Sequence, residues 1–135
     1  MEQELRALAQ HLKLEHVAFP GFVNQSELPR VYATADVFVL PSADEPWGFI
    51  INEVMCAGLP VVVSESIGST PDLVRDGENG RLIKAGDADG LASALEEILV
   101  DPAKRALMGR KSLEIVSDWS YGRCRQGLLA ASGKA

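Results

Sequence analysis

The chain has 135 residues, of which 47% are hydrophobic and 24% charged, and carries a formal net charge of −6. That is the balance of one globular domain with a core of its own, and the acidic excess argues against nucleic acid, or an anionic membrane surface, as the main partner. The apolar runs are too short to span a bilayer, no signal peptide is expected, and Cys56 and Cys124 are too few for a disulfide framework, so two free thiols and a cytoplasmic location are expected.

Residues 2–13 carry Leu5, Leu8, Ala9 and Leu12 on one side, the spacing of an amphipathic helix. His16-Val17-Ala18-Phe19 ends at Pro20-Gly21 and reads as a strand closed by a turn. Ser26 is placed to cap a helix from Glu27 to about Ala35, with Pro29 tolerated in its first turn. A buried strand from Val37 to Leu40 follows, closed by Pro41-Ser42. The next helix starts near Gly48, carries Ile50, Ile51, Val54, Met55, Cys56 and Ala57 with apolar residues almost all the way round, and stops at Gly58.

Pro60-Val61-Val62-Val63-Ser64 shows no alternation, which predicts a strand covered on both faces. The loop from Ser66 to Thr70 leads into a short helix with Pro71 in its first turn. Asp76-Gly77-Glu78-Asn79-Gly80 is turn chemistry, and Arg81-Leu82-Ile83 a short last strand. A helix from Asp87 to Val100 presents Leu91, Ala94, Leu95 and Ile98 on one face; Asp101-Pro102 ends it and begins another, to about Ser117. Residues 119–131 read as a last helix anchored by Trp119 and Tyr121, and the charges from Lys104 to Lys111 as a solvated face. Strands alternating with helices mean parallel βαβ units, hence an α/β fold with a sheet of about four strands and helices on both faces.

Ligands of such sheets bind beyond the carboxyl ends of the strands. There the sequence places Glu45-Pro46-Trp47-Gly48-Phe49-Ile50-Ile51-Asn52-Glu53, two carboxylates eight residues apart across a helix start. In an apolar helix an ionised Glu53 is costly without a partner, and a ligand offering hydroxyl donors would be one. Gly48 stands where the first helical amides lack intrahelical acceptors and favour phosphate; Gly68-Ser69-Thr70-Pro71 offers a second such start. Phosphate and hydroxyl groups together describe a nucleotide-sugar better than a simple cation. Plainer readings stand beside this one. Glu45 could complement the helix dipole, Gly48 could be turn chemistry, the loop from Ser66 to Thr70 a cap, and Trp47 a packing residue. His11 and His16 have no companions at metal-ligand spacing, so no metal site is expected, and no nucleophile elbow, dinucleotide fingerprint or phosphate-binding loop is present.

Pro41-Ser42, Glu45, Gly48 and Glu53, followed by Ala57-Gly58-Leu59-Pro60-Val61-Val62, resemble the core motif of retaining glycosyltransferases of the GT-B type, family 4. Val17-Ala18-Phe19-Pro20-Gly21-Phe22-Val23, Leu73 to Leu82 and Asp118-Trp119-Ser120 are similar to the segments that precede and follow it. The resemblance implies a Rossmann-like fold and transfer of a glycosyl group from a nucleoside diphosphate sugar with retention, commonly without a metal and with no cofactor beyond the donor. It implies Glu53 on the ribose and Glu45 as the catalytic residue on the donor sugar. Amides of Gly48, Phe49 and Ile50 would face the phosphates and sugar, with Ser42 in the same motif and Gly21, Phe22 and Val23 by the base.

By the same resemblance, residues 1–135 form part of the donor-binding C-terminal domain, with 119–131 its C-terminal helix. The implied partner is an N-terminal domain that holds the acceptor, and a membrane-associated parent stays open. Two strands and a cationic loop of such a domain have no counterpart here. The 16–19 and 37–40 strands are therefore expected either to pair directly in a rearranged four-strand sheet or to leave edges that a homodimer covers. Two alternatives are a standalone, non-catalytic sugar-nucleotide or protein-interaction module, and a related epimerase or phosphorylase.

Overall fold

The unalternating Val61-Val62-Val63-Ser64 run forms the middle of the sheet, and all four residues are buried. The computed structural model describes residues 2–133. Its elements are α1 (Glu2–His11), α2 (Leu28–Tyr32), β1 (Phe38–Leu40), α3 (Phe49–Cys56), β2 (Val61–Ser64), α4 (Thr70–Leu73), β3 (Gly80–Ile83), α5 (Ala88–Leu99), α6 (Pro102–Ser117) and α7 (Tyr121–Ala131). The sheet is three-stranded and parallel in the order β1-β2-β3, with Val39 opposite Val62 and Val62 opposite Arg81. The α/β layering with a parallel sheet expected from the pattern is therefore present.

Alternation along β2 divides the core. Val61 and Val63 pack with Tyr32, Ile51, Val54, Met55 and Ile67 on one face. Val62 faces the other way, among Ile83, Ala94, Ile98 and Met108. Helix α6 joins both layers, giving Met108 to the second cluster and Ile115 and Val116 to the first. Asp101 caps it by accepting from the Ala103 and Lys104 amides at 2.9 and 3.0 Å.

The expected strand at 16–19 does not form, and neither does a rearranged four-strand sheet. Four residues without a hydrogen-bonded neighbour have nothing to hold them in a ladder. Instead the Arg6 guanidinium lies 4.5 Å from the centre of the Phe19 ring and donates to the Phe19 carbonyl at 3.3 Å. β1 consequently stands at a sheet edge, and its residues are half-buried rather than the buried strand expected. α2 is shorter than the 27–35 span, with Glu27 rather than Ser26 at its N-cap position.

Helix α7 buries none of its residues; Tyr121 is 97% exposed, so it anchors nothing, whereas Trp119 packs on Trp47 with ring centres 5.8 Å apart. Lys104 and Lys111 are half-buried in ion pairs, to Glu97 and to Glu114 and Glu78, rather than freely solvated. Both cysteines are free and exposed, Cys56 included. No helix among the described residues is long and apolar enough to cross a membrane.

Candidate functional site

The loop from β1 to α3 is held by backbone contacts to the loop after β2. The Gly68 amide donates to the Glu45 carbonyl at 3.1 Å and the Ser69 amide to the Trp47 carbonyl at 3.2 Å. Ser66 Oγ donates to the Ser42 carbonyl at 3.1 Å, while Ser42 Oγ donates to the Asp44 carbonyl at 3.2 Å. Gly68 permits this seam because a Cβ there would lie 1.9 Å from the Pro46 carbonyl oxygen. The second helix start expected at 68–71 is thus engaged in the seam, and α4 is only four residues long, too short to build an appreciable dipole.

Gly48, at φ 82° and ψ 56°, is the N-cap of α3 in left-handed geometry that glycine adopts without strain. The Glu45 carboxylate turns back onto this start, accepting from the Gly48 amide at 3.0 Å and the Trp47 amide at 3.4 Å. The Phe49 and Ile50 amides follow as the first helical donors, with no acceptor four residues earlier inside the helix. Phe49 is 74% exposed, its ring centre 6.4 Å from that of Trp47. At the other end, Gly58 takes φ 74° and the Gly58 and Leu59 amides donate to the Met55 and Val54 carbonyls, the pair of hydrogen bonds of a Schellman stop.

Helix α3 is one-sided. Ile51, Val54 and Met55 are buried, but Glu53 and Cys56 are exposed. Glu53 is therefore not the buried, costly charge expected from an apolar helix, because the helix packs only one flank on the sheet. Glu53 instead stands at a cleft of about 540 Å³ between α2 and α3, with Gln25, Leu28, Pro29, Tyr32, Cys56 and Ala57 around it. Its Oε2 accepts a hydrogen bond from Tyr32 Oη at 2.9 Å. Burial, and then the bond to Glu53, push the Tyr32 hydroxyl up to about 12.

The structure so brings Glu45, Gly48, Phe49 and Ile50 together at one helix start, with Glu53 farther along the same helix. Ser42 is in the adjoining loop seam. Gly21, at φ 70°, the 90% exposed Phe22 and the half-buried Val23 lie in a loop with no hydrogen bond or ring contact to that block among the described residues. Tyr32 is the residue that sequence reasoning missed. Its only trace was the Leu28–Tyr32 spacing of a helix face, which cannot say that a hydroxyl meets a carboxylate 21 positions away.

Residues 1–114 match the model of the family described as glycosyl transferases group 1. The chain belongs to that family. An uncharacterized glycosyltransferase of Methanocaldococcus jannaschii is 38% identical over 102 residues, 75% of this chain and 26% of that protein. Anabaena HepE in complex with UDP superposes with a TM-score of 0.86 at 28% identity, over 98% of this chain and 36% of that one; the same protein is also solved with UDP-glucose. The C-terminal domain of a glycosyl transferase group 1 protein from Francisella tularensis shares the fold, with a TM-score of 0.79 at 24% identity over 86% of this chain and 60% of that one. The chain spans about a quarter of the length of the curated relatives it matches.

Proposed function

We propose that this chain is the donor-binding part of a glycosyltransferase, taking a nucleoside diphosphate sugar whose glycosyl group passes, with retention, to an acceptor held by a separate N-terminal domain. The observation that carries the reading is the arrangement on α3. The helix begins with the Phe49 and Ile50 amides unpaired inside it and the Glu45 carboxylate folded onto the Gly48 amide, and shows a second carboxylate, Glu53, beside a cleft. Five residues of helical rise separate Gly48 from Glu53, roughly 7.5 Å, a span comparable with a diphosphate group. UDP and UDP-glucose in the Anabaena relative support the same ligand class.

In this reading Glu53 accepts from the ribose hydroxyls, with Gly21, Phe22 and Val23 nearer the base and Ser42 bracing the loop. The Phe49 and Ile50 amides and the positive end of α3 face the phosphates. There they stabilise the charge that grows on the diphosphate as its bond to the anomeric carbon breaks. Glu45 exchanges its hold on the Gly48 amide for hydroxyls of the donor sugar, which frees that amide for the ligand as well. The donor is a substrate, and no resident cofactor enters the scheme.

Calorimetric titration of a panel of nucleotide-sugars tests this. The wild type should bind at least one, and Glu53→Ala should weaken it by at least about tenfold, as expected when charge-assisted hydrogen bonds to hydroxyls are lost. Binding of none, or an unchanged affinity in the variant, ends the assignment.

A further inference from the structure

The hydrogen bond between Tyr32 and Glu53 joins a buried ring to an exposed carboxylate. Tyr32 is 9% exposed and closes α2 within the cluster of Ile51, Val54 and Met55, so its ring has few places to go. Glu53 is exposed and has no second donor among the described residues, so without the tyrosine its carboxylate would sample several rotamers. The bond at 2.9 Å occupies Oε2 and leaves Oε1 with no donor among the described residues. Around the pair the cleft is lined largely by apolar side chains, Leu28, Pro29, Ala33 and Ala57 among them.

We propose that Tyr32 is a positioning residue: its hydroxyl fixes the Glu53 carboxylate in the rotamer that accepts from the vicinal hydroxyls of a bound ribose. The proposal rests on the donor reading above and adds to it the group that orders the ribose-binding carboxylate before the ligand arrives. Such ordering removes the rotamer cost that binding would otherwise carry. Burial and the bond to Glu53 raise the proton affinity of the tyrosine, which keeps it a donor at neutral pH.

The test uses Tyr32→Phe, which keeps the ring and removes only the hydroxyl. Wild type and variant are titrated calorimetrically with uridine, guanosine and adenosine diphosphates and with their 2′,3′-dideoxy counterparts. For whichever base the wild type accepts, Tyr32→Phe should bind the ribonucleotide about twofold to tenfold more weakly, the range set by the cost of immobilising one flexible side chain. The dideoxy nucleotide should bind wild type and variant equally, since it offers Glu53 no hydroxyls. In a Glu53→Ala background, adding Tyr32→Phe should change nothing further. Equal affinities for the ribonucleotide overturn the proposal and leave the donor reading standing. Equal losses for both nucleotides also overturn it, because they show a general effect on the fold. A wild type that binds no nucleoside diphosphate removes the donor reading itself, and the positioning role falls with it.

Discussion

Gly68→Ala should damage the site from the opposite side of its seam. The added Cβ would stand 1.9 Å from the Pro46 carbonyl oxygen, where real contacts do not fall below 3.0 Å, and 2.9 Å from the carbonyl carbon. The obstruction is backbone, so no side chain can swing aside, and the two loops must separate by at least the missing 1.1 Å, the difference between 3.0 and 1.9 Å. The hydrogen bonds that the Gly68 and Ser69 amides donate to the Glu45 and Trp47 carbonyls, 3.1 and 3.2 Å, would then stretch to about 4 Å, beyond hydrogen-bonding range. Two net bonds at about 1 kcal/mol each, together with the repacking of Gly48 against Ile67, give a loss of about 2–4 kcal/mol. That is a large fraction of the stability of a domain of this size. Urea denaturation of wild type and variant followed by tryptophan fluorescence measures it, since Trp47 sits in the seam. Moving the 45–48 turn should also weaken nucleotide-sugar binding in the variant at urea concentrations where it stays folded. A variant within about 0.5 kcal/mol of wild type, with unchanged binding, would falsify the claim that this close approach holds the helix start in place.

Two further changes probe the scaffold. Asn79 is fully buried; its side chain accepts from the Arg75 amide at 2.8 Å and donates to the Leu73 carbonyl at 3.1 Å, so Asn79→Ala should cost about 2–4 kcal/mol in a denaturant titration by leaving both backbone groups unpaired. A cost below about 1 kcal/mol would mean that the backbone alone holds the turn. Glu97 is held below its ordinary 4.5 chiefly by the hydrogen bond from Lys104, against the opposing effect of burial and with help from the Arg81 charge. A carboxyl whose folded value is lowered contributes stability above its unfolded value and loses it as pH falls through the folded one. The stability difference between wild type and Glu97→Gln should therefore be constant from neutral pH to about 5 and shrink below 4.5. A difference independent of pH down to 3 would remove the ion pairs from the account.

Much of the architecture was legible because it depends on local pattern. The run from Val61 to Ser64 could only be a strand covered on both faces, and Gly58 stops α3 where a left-handed residue is needed. Asp87 and Asp101 cap α5 and α6 through side chains that reach the following amides. The spacing of Glu45, Gly48 and Glu53, with the motifs on either side, is enough to point to the family. Strand 16–19 was misread because a strand exists only with a neighbour, and composition cannot tell which neighbour is present.

What the sequence determined, then, was the order of elements, the middle strand, the family and the residues crowded around one helix start. Tertiary structure alone decided how those residues are used. It turned Glu53 out of the core and into a cleft, because α3 packs a single flank on the sheet, and it set Tyr32 against it across 21 positions. It folded Glu45 back onto the amide of Gly48, and it spent the second helix start on a seam between two loops. Periodicity fixes which face of an element is apolar; only the packing of one element on another fixes what its polar side chains meet.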